Sequence, residues 1–394
     1  MPHYRYLIVG AGMTGDAAVR GIREIDSSGP IGVIGAEPHP PYNRPPLSKG
    51  LWKDQSLEQI WRGTGSLDVE LHLSRRAIQL DKSGKLVVDD RGTVYTFDKL
   101  LLATGGRPRR LPFDREGDRI IYFRTLDDYR RLRELAGAGR RIAVIGGGFI
   151  GSEIAAALTM TGGQAVMLFP EDGIGSRLFP AGLAQALNQF YREKGVEVIT
   201  GELVSEITTT SGNTVLTTKS GRRIEAGGVV AGLGIQPEDQ LASAAGLRTD
   251  DGIVVDEFLR TSAPEIYAAG DVAKFPNPAL GTRMRVEHED NANTMGQTAG
   301  RNMAGPPAPY HHLPFFYSDL FDLGYEAVGD LDSRLTTIED WKQPHREGVV
   351  YYLRDGRVRG VLLWNVWGQV DQARALIAQP GPFSRQDLIG RLPG

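Results

Sequence analysis

The chain of 394 residues carries a formal net charge of −3, and 41% of its residues are hydrophobic and 24% charged. This composition is typical of a globular protein of two or three domains, and it offers no basic field for nucleic acid. The absence of cysteine excludes disulfides, thiolate metal sites and thiol nucleophiles, so any redox chemistry must belong to a bound cofactor.

Metal sites and membrane segments are not expected either. The seven histidines show no metal-ligand spacing, so we predict no metal. No apolar run reaches about 18 residues, and a predicted strand begins shortly after Met1, so we expect neither a membrane span nor a targeting peptide. A cytoplasmic location is the default expectation.

The first predicted elements form a βαβ unit. Tyr6–Val9 indicates a strand, GAGMTG indicates a tight turn, and a helix-compatible stretch and the strand Ile31–Ile34 follow. Amides at the mouth of such a helix favour a pyrophosphate, and Glu37 after the second strand would accept hydrogen bonds from a ribose. The alternative is that the glycines only permit tight packing. The candidate residues of this dinucleotide turn are Gly10, Gly12, Met13, Thr14 and Gly15.

The same order of elements returns later in the chain, which implies a second dinucleotide. Predicted strands at Ile142–Ile145 and Ala165–Phe169 flank the segment GGGFIG and a helical stretch. The candidate residues of this second turn are Gly146, Gly147, Gly148, Phe149, Ile150 and Gly151.

Two charged residues after the second unit bear on the choice of nucleotide. Glu171 lies at the end of its second strand and would repel a 2′-phosphate, which favours NADH over NADPH. Arg177 could bind a pyrophosphate or a 2′-phosphate, or it could be a solvated surface cation. We therefore expect NADH, with NADPH as the less favoured nucleotide.

Three more predicted strands end at glycine turns, which is where nucleotide sites of α/β proteins form. Leu100–Ala103 stops at Thr104 and Gly105, and Ile266–Ala269 stops at Gly270 and Asp271. The third, Val229–Val230, leads into AGLGIQP, which contains Gly234.

The last part of the chain is aromatic and alternating from about Pro314. Val349–Leu353 and Val358–Leu363 predict a hairpin, because an Asp-Gly pair between them supplies the positive φ angles of a type I′ turn. A terminal helix is predicted over Val370–Ala378. We expect a second nucleotide domain, residues 112–245, inserted into a first one, residues 1–111 and 246–312, and an α+β domain at 313–394.

Longer motifs resemble a known superfamily. ATG at Ala103–Gly105 and TSAPEIYAAGD at Thr261–Asp271 resemble strand-end motifs of the two-dinucleotide flavoprotein reductases. Their disulfide-reducing members need a cysteine pair beside the flavin, so this thiol-free chain resembles the ferredoxin and rubredoxin reductases instead. The resemblance implies a glutathione-reductase-like α/β fold with FAD in the first Rossmann-like domain and NAD(P)H in the second.

Three stretches point to one branch of that superfamily. PPYNRPPLSKGLW from Pro40, VEHEDNANTMGQTAGRNMAG from Val286 and FFYSDLFDLGYEAVG from Phe315 resemble the apoptosis-inducing-factor-like family. The FAD contacts implied by the resemblance are Arg44, Lys49, Ala77, Ala103, Thr104, Gly105, Arg124, Gly270, Asp271 and His288. Those implied along the NADH path are Gly147, Phe149, Ile150, Gly234, Glu287, Glu326 and Asn365, with Tyr317 at a position where the family places an aromatic near the cofactors.

The resemblance also implies that Lys49 pairs with Glu153 beside the reactive ring nitrogen of the flavin. A buried ammonium there would stabilise the anionic reduced ring, and the carboxylate would keep the lysine charged and oriented. These two residues and His288 are the predicted catalytic residues. The alternatives are an exposed lysine, a solvated glutamate and a structural histidine.

Several aromatic residues have more than one interpretation. Phe149 is either a gate over the nicotinamide or simple packing. Tyr317, Trp364 and Trp367 also suit a core, and this interpretation is the stronger one for Trp367.

The function implied by the resemblance is an FAD-dependent NADH oxidoreductase of the ferredoxin-reductase type. Hydride would pass from NADH to FAD, and the electrons would then pass singly to an iron-sulfur protein such as a ferredoxin. One alternative is a redox-sensing flavoprotein with slow NADH oxidation and NADH-linked homodimerisation. A second is an NADH:quinone reductase, although the chain lacks the amphipathic anchor expected for it.

Overall fold

A computed structural model describes residues 1–114, 120–137, 139–209 and 213–392. The chain forms two compact units. The first contains Met1–Asn43, Ser56–Arg107 and Gln236–Pro314, and the second contains Arg44–Gln55, Pro108–Ile235 and Phe315–Gly394. The short strands Gly106–Pro108 and Ile235–Pro237 each include a point where the chain passes from one unit to the other. The three-domain division stays a prediction.

A largely parallel sheet forms the centre of the first unit. Its strands, in spatial order, are Glu70–His72, Ile31–Ile34, His3–Val9, Val94–Leu102, Leu86–Asp89 and Ala77–Asp81, and Ile266–Ala268 also pairs with Val94–Leu102. Strand His3–Val9 is parallel to both of its neighbours and leads into a helix, which confirms the predicted βαβ unit. A smaller sheet contains Ile253–Val254, Ala273–Asn277 and Thr282–Met284.

Two helices of this unit lie close together because one of them has a glycine at the point of contact. Helix Met13–Arg23 packs against helix Glu289–Ala304. A further short helix spans Gln240–Ala244. A Cβ placed on Gly300 would lie 2.1 Å from the carbonyl oxygen of Ala18. A side chain there would force the helices apart, so this contact fixes the position of the helix that follows the first glycine turn.

The second unit contains a parallel sheet of its own. Its strands, in spatial order, are Glu197–Ile199, Gln164–Leu168, Arg141–Ile145, Gly228–Ala231 and Ile120–Tyr122. Helices Leu126–Gly137, Phe149–Met160 and Ala181–Glu193 lie between these strands in the sequence. The second predicted βαβ unit is therefore confirmed. The strand before its glycine turn is buried from Ile142 to Ile145, which is why it reads as a continuous apolar run.

Two antiparallel sheets complete the second unit. One contains Val204–Thr209, Thr214–Thr218 and Arg223–Ala226, and the other contains, in spatial order, Phe315–Leu320, Leu323–Gly329, Arg357–Trp364, Glu347–Arg354 and Thr336–Gln343. The predicted hairpin is confirmed, with φ angles of 53° at Asp355 and 72° at Gly356. Helices Val370–Ile377 and Arg385–Leu388 follow. The predicted fold class is thus confirmed.

Candidate functional site

In the glycine turn of the first unit, each glycine has a different steric environment. Gly10 has a φ of 125°, and a Cβ there would lie 2.0 Å from the carbonyl oxygen of Ala103. A Cβ on Gly15 would lie 2.1 Å from the carbonyl oxygen of Gly10, so Gly15 lets the helix approach the strand. In the described part of the chain, by contrast, nothing beyond its own neighbours lies within 4 Å of a Cβ on Gly12.

The glycine turn of the second unit repeats this arrangement. Gly146 has a φ of 114°, and a Cβ there would lie 2.4 Å from the carbonyl oxygen of Gly232. A Cβ on Gly151 would lie 2.0 Å from the carbonyl oxygen of Gly146. Among the described residues, a Cβ on Gly148 again meets nothing within 4 Å except its chain neighbours.

Both turns therefore suit a pyrophosphate. Gly12 and Gly148 are the residues that directly precede their helices, and both have extended backbones with negative φ. A glycine at this position leaves the first backbone N–H groups of the helix accessible, and those groups attract anions. The second glycine of each turn is thus needed for the space beside it, whereas the first and third are needed for the fold.

The predicted site residues divide between the two units. The first unit holds Gly10, Gly12, Met13, Thr14, Gly15, Glu37, Ala77, Ala103, Thr104, Gly105, Gly270, Asp271, Glu287 and His288. The second holds Arg44, Lys49, Arg124, Gly146, Gly147, Gly148, Phe149, Ile150, Gly151, Glu153, Glu171, Arg177, Gly234, Tyr317, Glu326 and Asn365.

Several predicted residues of the first unit are held by neighbouring groups. The carboxylate of Glu37 accepts a 2.6 Å hydrogen bond from the Tyr42 hydroxyl. Thr104 donates through its hydroxyl to the carbonyl oxygen of Glu238, at 2.7 Å. Gly270 has a φ of 75°, and a Cβ there would lie 2.2 Å from Oγ1 of Thr14, so the late strand end abuts the glycine turn.

Asp271 and Glu287 share one arginine. Arg285 donates to the backbone carbonyl of Asp271 at 3.2 Å and to the carboxylate of Glu287 at 2.6 Å. His288 follows as the residue that precedes helix Glu289–Ala304. Asp271 and Glu287 are therefore linked through the same partly buried guanidinium.

The second unit brings Lys49 and Glu153 together as the resemblance implied. Nζ of Lys49 lies 2.6 Å from Oε1 of Glu153, and the side chains are only 13% and 4% exposed. Lys49 comes from a loop of the segment Arg44–Gln55, and Glu153 from the helix that begins at the second glycine turn. A buried pair of this kind must satisfy the remaining hydrogen-bonding capacity of both ions, or desolvation outweighs their attraction.

Two serines near this pair were missed by the sequence reasoning. The hydroxyl of Ser48 donates to Oε2 of Glu153 at 2.5 Å, and that of Ser318 donates to Oε1 at 2.6 Å. Ser48 could have been noticed as the neighbour of Lys49, but nothing in the sequence links Ser318 to Glu153. Only the fold brings the strand Phe315–Leu320 to this carboxylate.

Aromatic rings line the same region of the second unit. The Lys49 ammonium lies 5.2 Å from the centre of the Tyr317 ring, a cation–π distance. Phe149, in the glycine turn, makes an edge-to-face contact with Phe316 at 5.2 Å between ring centres. This contact shows that Phe149 packs against Phe316. The role of Phe149 as a gate stays a prediction.

Arg44 and the loop that follows strand Gln164–Leu168 are also held by hydrogen bonds and ion pairs within this unit. The guanidinium of Arg44 donates to the backbone carbonyl of Arg124 at 2.9 Å. Glu171 and Arg177 form an ion pair of 2.5 Å, in which the Arg177 side chain is 84% exposed. The amide of Gly175 donates to the carbonyl of Gly147 at 2.8 Å, so the loop that carries Arg177 is bonded to the second glycine turn.

Glu326 lies within strand Leu323–Gly329, and Asn365 directly follows strand Arg357–Trp364. Asn365 has a φ of 51°, and its side chain accepts from the amide of Gly324 at 2.7 Å. The amide of Gly368 donates to Glu326 at 3.2 Å, and burial raises the pKa of that carboxyl. The loop 365–368 therefore holds the Glu326 side chain through Gly368, and the Asn365 side chain bonds this loop to the strand that carries Glu326.

The prediction that Trp367 belongs to a core is wrong. Its side chain is 52% exposed, and its ring lies over Gly324, where a Cβ would be 2.8 Å from it. Trp364 is instead the fully buried residue, stacked on Tyr325 at 5.5 Å. Trp364 belongs to a strand that faces the core, whereas Trp367 follows in the loop, so hydrophobicity alone could not separate them.

Two further findings concern the described residues. They contain no group of three or more His, Cys, Asp or Glu side chains that could hold a metal ion. No helix within residues 1–114, 120–137, 139–209 and 213–392 is long and apolar enough to cross a membrane.

Comparison with known proteins identifies the family. The model of the pyridine nucleotide-disulphide oxidoreductases matches residues 4–296, which is most of the chain. The chain belongs to this family. A second model, for the mitochondrion-associated C-terminal part of apoptosis-inducing factor, matches residues 299–347 and 339–379.

Relatives of this pyridine nucleotide-disulphide oxidoreductase are similar over nearly its whole length. Apoptosis-inducing factor 1 of Dictyostelium discoideum is 35% identical and aligns over 95% of this chain and 78% of that protein. The ferredoxin–NAD(+) reductase component of the 3-phenylpropionate/cinnamic acid dioxygenase of Photorhabdus laumondii is 32% identical, over 96% and 98%. The putidaredoxin reductase–putidaredoxin complex superposes with a TM-score of 0.90 at 28% identity, over 98% of this chain and 95% of the matched chain.

These comparisons confirm the resemblance deduced from the motifs. The chain is an FAD-dependent oxidoreductase of pyridine nucleotides, as predicted. The family description includes disulphide chemistry, but this sequence has no cysteine to take part in it. Its electron acceptor is therefore one that needs no thiol on the reductase.

Proposed function

We propose that this protein oxidises NADH through FAD and passes the electrons to an iron-sulfur protein of the ferredoxin class. The observation that carries the proposal is the pair of open glycine turns in a chain that also buries a Lys49–Glu153 ion pair and contains no cysteine. The matches to a dioxygenase ferredoxin reductase component and to putidaredoxin reductase support this acceptor class.

The two turns have different cofactors in this proposal. The turn of Gly10, Gly12 and Gly15, with Glu37 after its second strand, would hold the FAD pyrophosphate and ribose, and Asp271 would bind the ribityl chain. The turn of Gly146, Gly148 and Gly151 would hold NADH, with Glu171 at its ribose. FAD, when bound, supplies the conversion from two-electron to one-electron transfer.

The residues around the flavin ring would act by position and charge. Lys49 would bring a positive charge to the ring, and Glu153 would keep that ammonium charged and aimed. Arg44, Arg124 and His288 would contact the flavin or its phosphates, while the remaining predicted residues of the second unit would line the path of NADH. Water would be excluded from the pair because both of its side chains are buried.

Stopped-flow kinetics test this proposal directly. NADH should reduce the flavin faster than turnover requires, and a [2Fe–2S] ferredoxin from a dioxygenase system should reoxidise it in one-electron steps. The rate of reoxidation should fall as the salt concentration is raised if charge guides the encounter of the two proteins. The proposal fails if NADH reduces the flavin rapidly but neither that ferredoxin nor putidaredoxin reoxidises it faster than oxygen does.

A second candidate is a redox-sensing role with slow NADH oxidation and NADH-linked dimerisation. It is favoured by the C-terminal match to apoptosis-inducing factor and by the 35% identity to the Dictyostelium protein. The same stopped-flow experiment, together with sedimentation velocity, separates the two functions. Slow reduction that coincides with dimerisation would support the sensor and contradict the reductase.

The preference for NADH should depend on Glu171, which both repels a 2′-phosphate and occupies Arg177. Their exposed ion pair is weak, about 0 to 1 kcal/mol, so a phosphate can compete for the arginine once Glu171 is neutral. We expect Glu171→Gln to raise kcat/KM for NADPH by about tenfold, which corresponds to about 1.4 kcal/mol, and to lower it for NADH.

The specificity prediction has an internal test and a control. Adding Arg177→Ala to Glu171→Gln should abolish the gain with NADPH, because the Arg177 guanidinium is then no longer available to the 2′-phosphate. Asp371→Asn removes the partner of Arg374 in another exposed pair of the same unit and should leave both nucleotides unaffected. If Glu171→Gln leaves the NADPH to NADH ratio unchanged, Glu171 does not determine specificity.

A further inference from the structure

The Glu153 carboxylate receives more hydrogen bonds than its pairing with Lys49 requires. It is 4% exposed and accepts from Nζ of Lys49, from the Ser48 hydroxyl and from the Ser318 hydroxyl, at 2.6, 2.5 and 2.6 Å. The three donors come from two separate segments of the chain, 44–55 and the strand Phe315–Leu320. Charge-assisted hydrogen bonds of this length are stronger than those between neutral groups.

We propose that Ser48 and Ser318 are positioning residues that hold the Glu153 carboxylate in place and aimed at Lys49. The proposal rests on the function given above only where it concerns the flavin. It makes the strand Phe315–Leu320 a part of the electron-transfer site rather than only a part of the C-terminal sheet.

The hydrogen-bonding capacity of the groups supports this role. An ionised carboxylate can only accept, and it has about four lone-pair positions, of which one lysine fills one. Each serine has one O–H to donate, and at 2.5 Å the Ser48 hydroxyl is much closer to Glu153 than to its other acceptor, the Pro45 carbonyl at 3.4 Å. The serines therefore replace the water that a buried carboxylate has lost.

Other titratable groups lie near Glu153. In the described part of the chain they include Lys49, Tyr191 from helix Ala181–Glu193 and Tyr325 from the strand beside Ser318. Burial, and secondarily the negative charge of Glu153, raises the pKa of both tyrosines, so they remain neutral. Lys49 is then the group that balances the carboxylate.

The strand Phe315–Leu320 contacts both members of the pair. Ser318 donates to Glu153, and the ring of its neighbour Tyr317 lies 5.2 Å from the Lys49 ammonium. A change in this strand would therefore move the carboxylate and the ammonium together. This is how a residue of the C-terminal sheet can influence a pair that it does not belong to.

Nuclear magnetic resonance of the holoenzyme tests the proposal. With glutamate labelled by ¹³C at the carboxyl carbon, the Glu153 resonance is assigned as the one missing from Glu153→Gln. In Ser48→Ala and in Ser318→Ala, its chemical shift should move away from the wild-type value, because each variant loses one hydrogen-bond donor to the carboxylate. Ser318→Thr retains the hydroxyl and should keep the wild-type chemical shift.

A matched control and a second measurement make the outcomes distinct. Ser205→Ala removes a strand serine whose hydroxyl donates to the Thr217 carbonyl, and it should leave the Glu153 chemical shift unchanged. The reduction potential of the flavin is measured in the same variants and in Lys49→Met. The serine variants should shift it in the direction that Lys49→Met does, by a smaller amount.

The two proposals fail in different ways. If neither serine variant moves the Glu153 chemical shift, the positioning role is overturned. If the chemical shift moves but the flavin potential stays at the wild-type value even in Lys49→Met, the positioning role stands and the proposed role of the pair at the flavin is overturned. If Ser318→Ala does not fold, Ser48→Ala decides the outcome by itself.

Discussion

Valine at Gly12 should produce a folded protein that no longer retains FAD, whereas valine at Gly148 should produce a yellow protein that no longer responds to NADH. Both glycines have negative φ, so a side chain adds no backbone strain, and no described residue beyond their chain neighbours stands within 4 Å of the new Cβ. In the proposed function, that space belongs to a pyrophosphate. The substitutions therefore remove a ligand without removing the fold.

The expected loss of affinity is at least tenfold for each cofactor, because each amide hydrogen bond to a phosphate that is lost contributes about 1.5 to 3 kcal/mol. FAD retention is read from the absorbance of the purified protein and from reconstitution, and NADH binding from the rate of flavin reduction against NADH concentration. Gly65→Val and Gly137→Val are matched controls, since a Cβ there also meets open space.

This pair of substitutions also tests which turn holds which cofactor. Gly10→Val would not be informative, because its Cβ would lie 2.0 Å from the Ala103 carbonyl and would disturb the fold itself. If Gly12→Val binds FAD with wild-type affinity while Gly148→Val loses it, the assignment of the two turns must be exchanged. If both variants bind FAD and react with NADH normally, neither turn is a pyrophosphate site.

Features that depend on neighbouring residues in the sequence were predicted correctly. The two βαβ units could be recognised because strand, glycine turn and helix are consecutive, and each glycine has a local steric reason. The hairpin was predicted for the same reason, since Asp355 and Gly356 take positive φ angles at its turn. The family resemblance added Lys49 and Glu153, which are 104 positions apart and lie 2.6 Å from each other.

Features that depend on tertiary packing could not be predicted. Ser318 is 165 positions from Glu153, and no local pattern distinguishes a serine that faces a buried carboxylate from one that faces solvent. Trp364 and Trp367 differ by three positions, yet one is fully buried and the other is half exposed, because the strand ends between them. Periodicity stops being informative where an element stops.

Replacing Glu153 by alanine should have the largest effect on stability of any change at the site. It removes the acceptor of Ser48, Lys49 and Ser318 at once and leaves the Lys49 ammonium buried without its counter-ion. Breaking a buried pair in this way costs about 3 to 5 kcal/mol in the free energy of unfolding. Urea titration of the holoenzyme, followed by tryptophan fluorescence and by flavin release, measures this loss.

The kinetic effect should be separable from the loss of stability. Lys49→Met removes the charge that the proposed function needs, and we expect NADH-driven flavin reduction to slow by on the order of 100-fold, as it does when one preorganised electrostatic group is lost. The double variant Lys49→Met, Glu153→Gln removes both charges, so it should be more stable than Glu153→Ala, because no unpaired ion remains buried.

The double variant should nevertheless reduce its flavin as slowly as Lys49→Met does. Stability would then follow the balance of buried charge, while the rate would follow the presence of the ammonium. A double variant that recovers the wild-type rate would show that Lys49 contributes to folding alone. The slow rate of Lys49→Met would then come from the unpaired Glu153 that this substitution leaves behind. The proposed role of the ammonium at the flavin would be wrong.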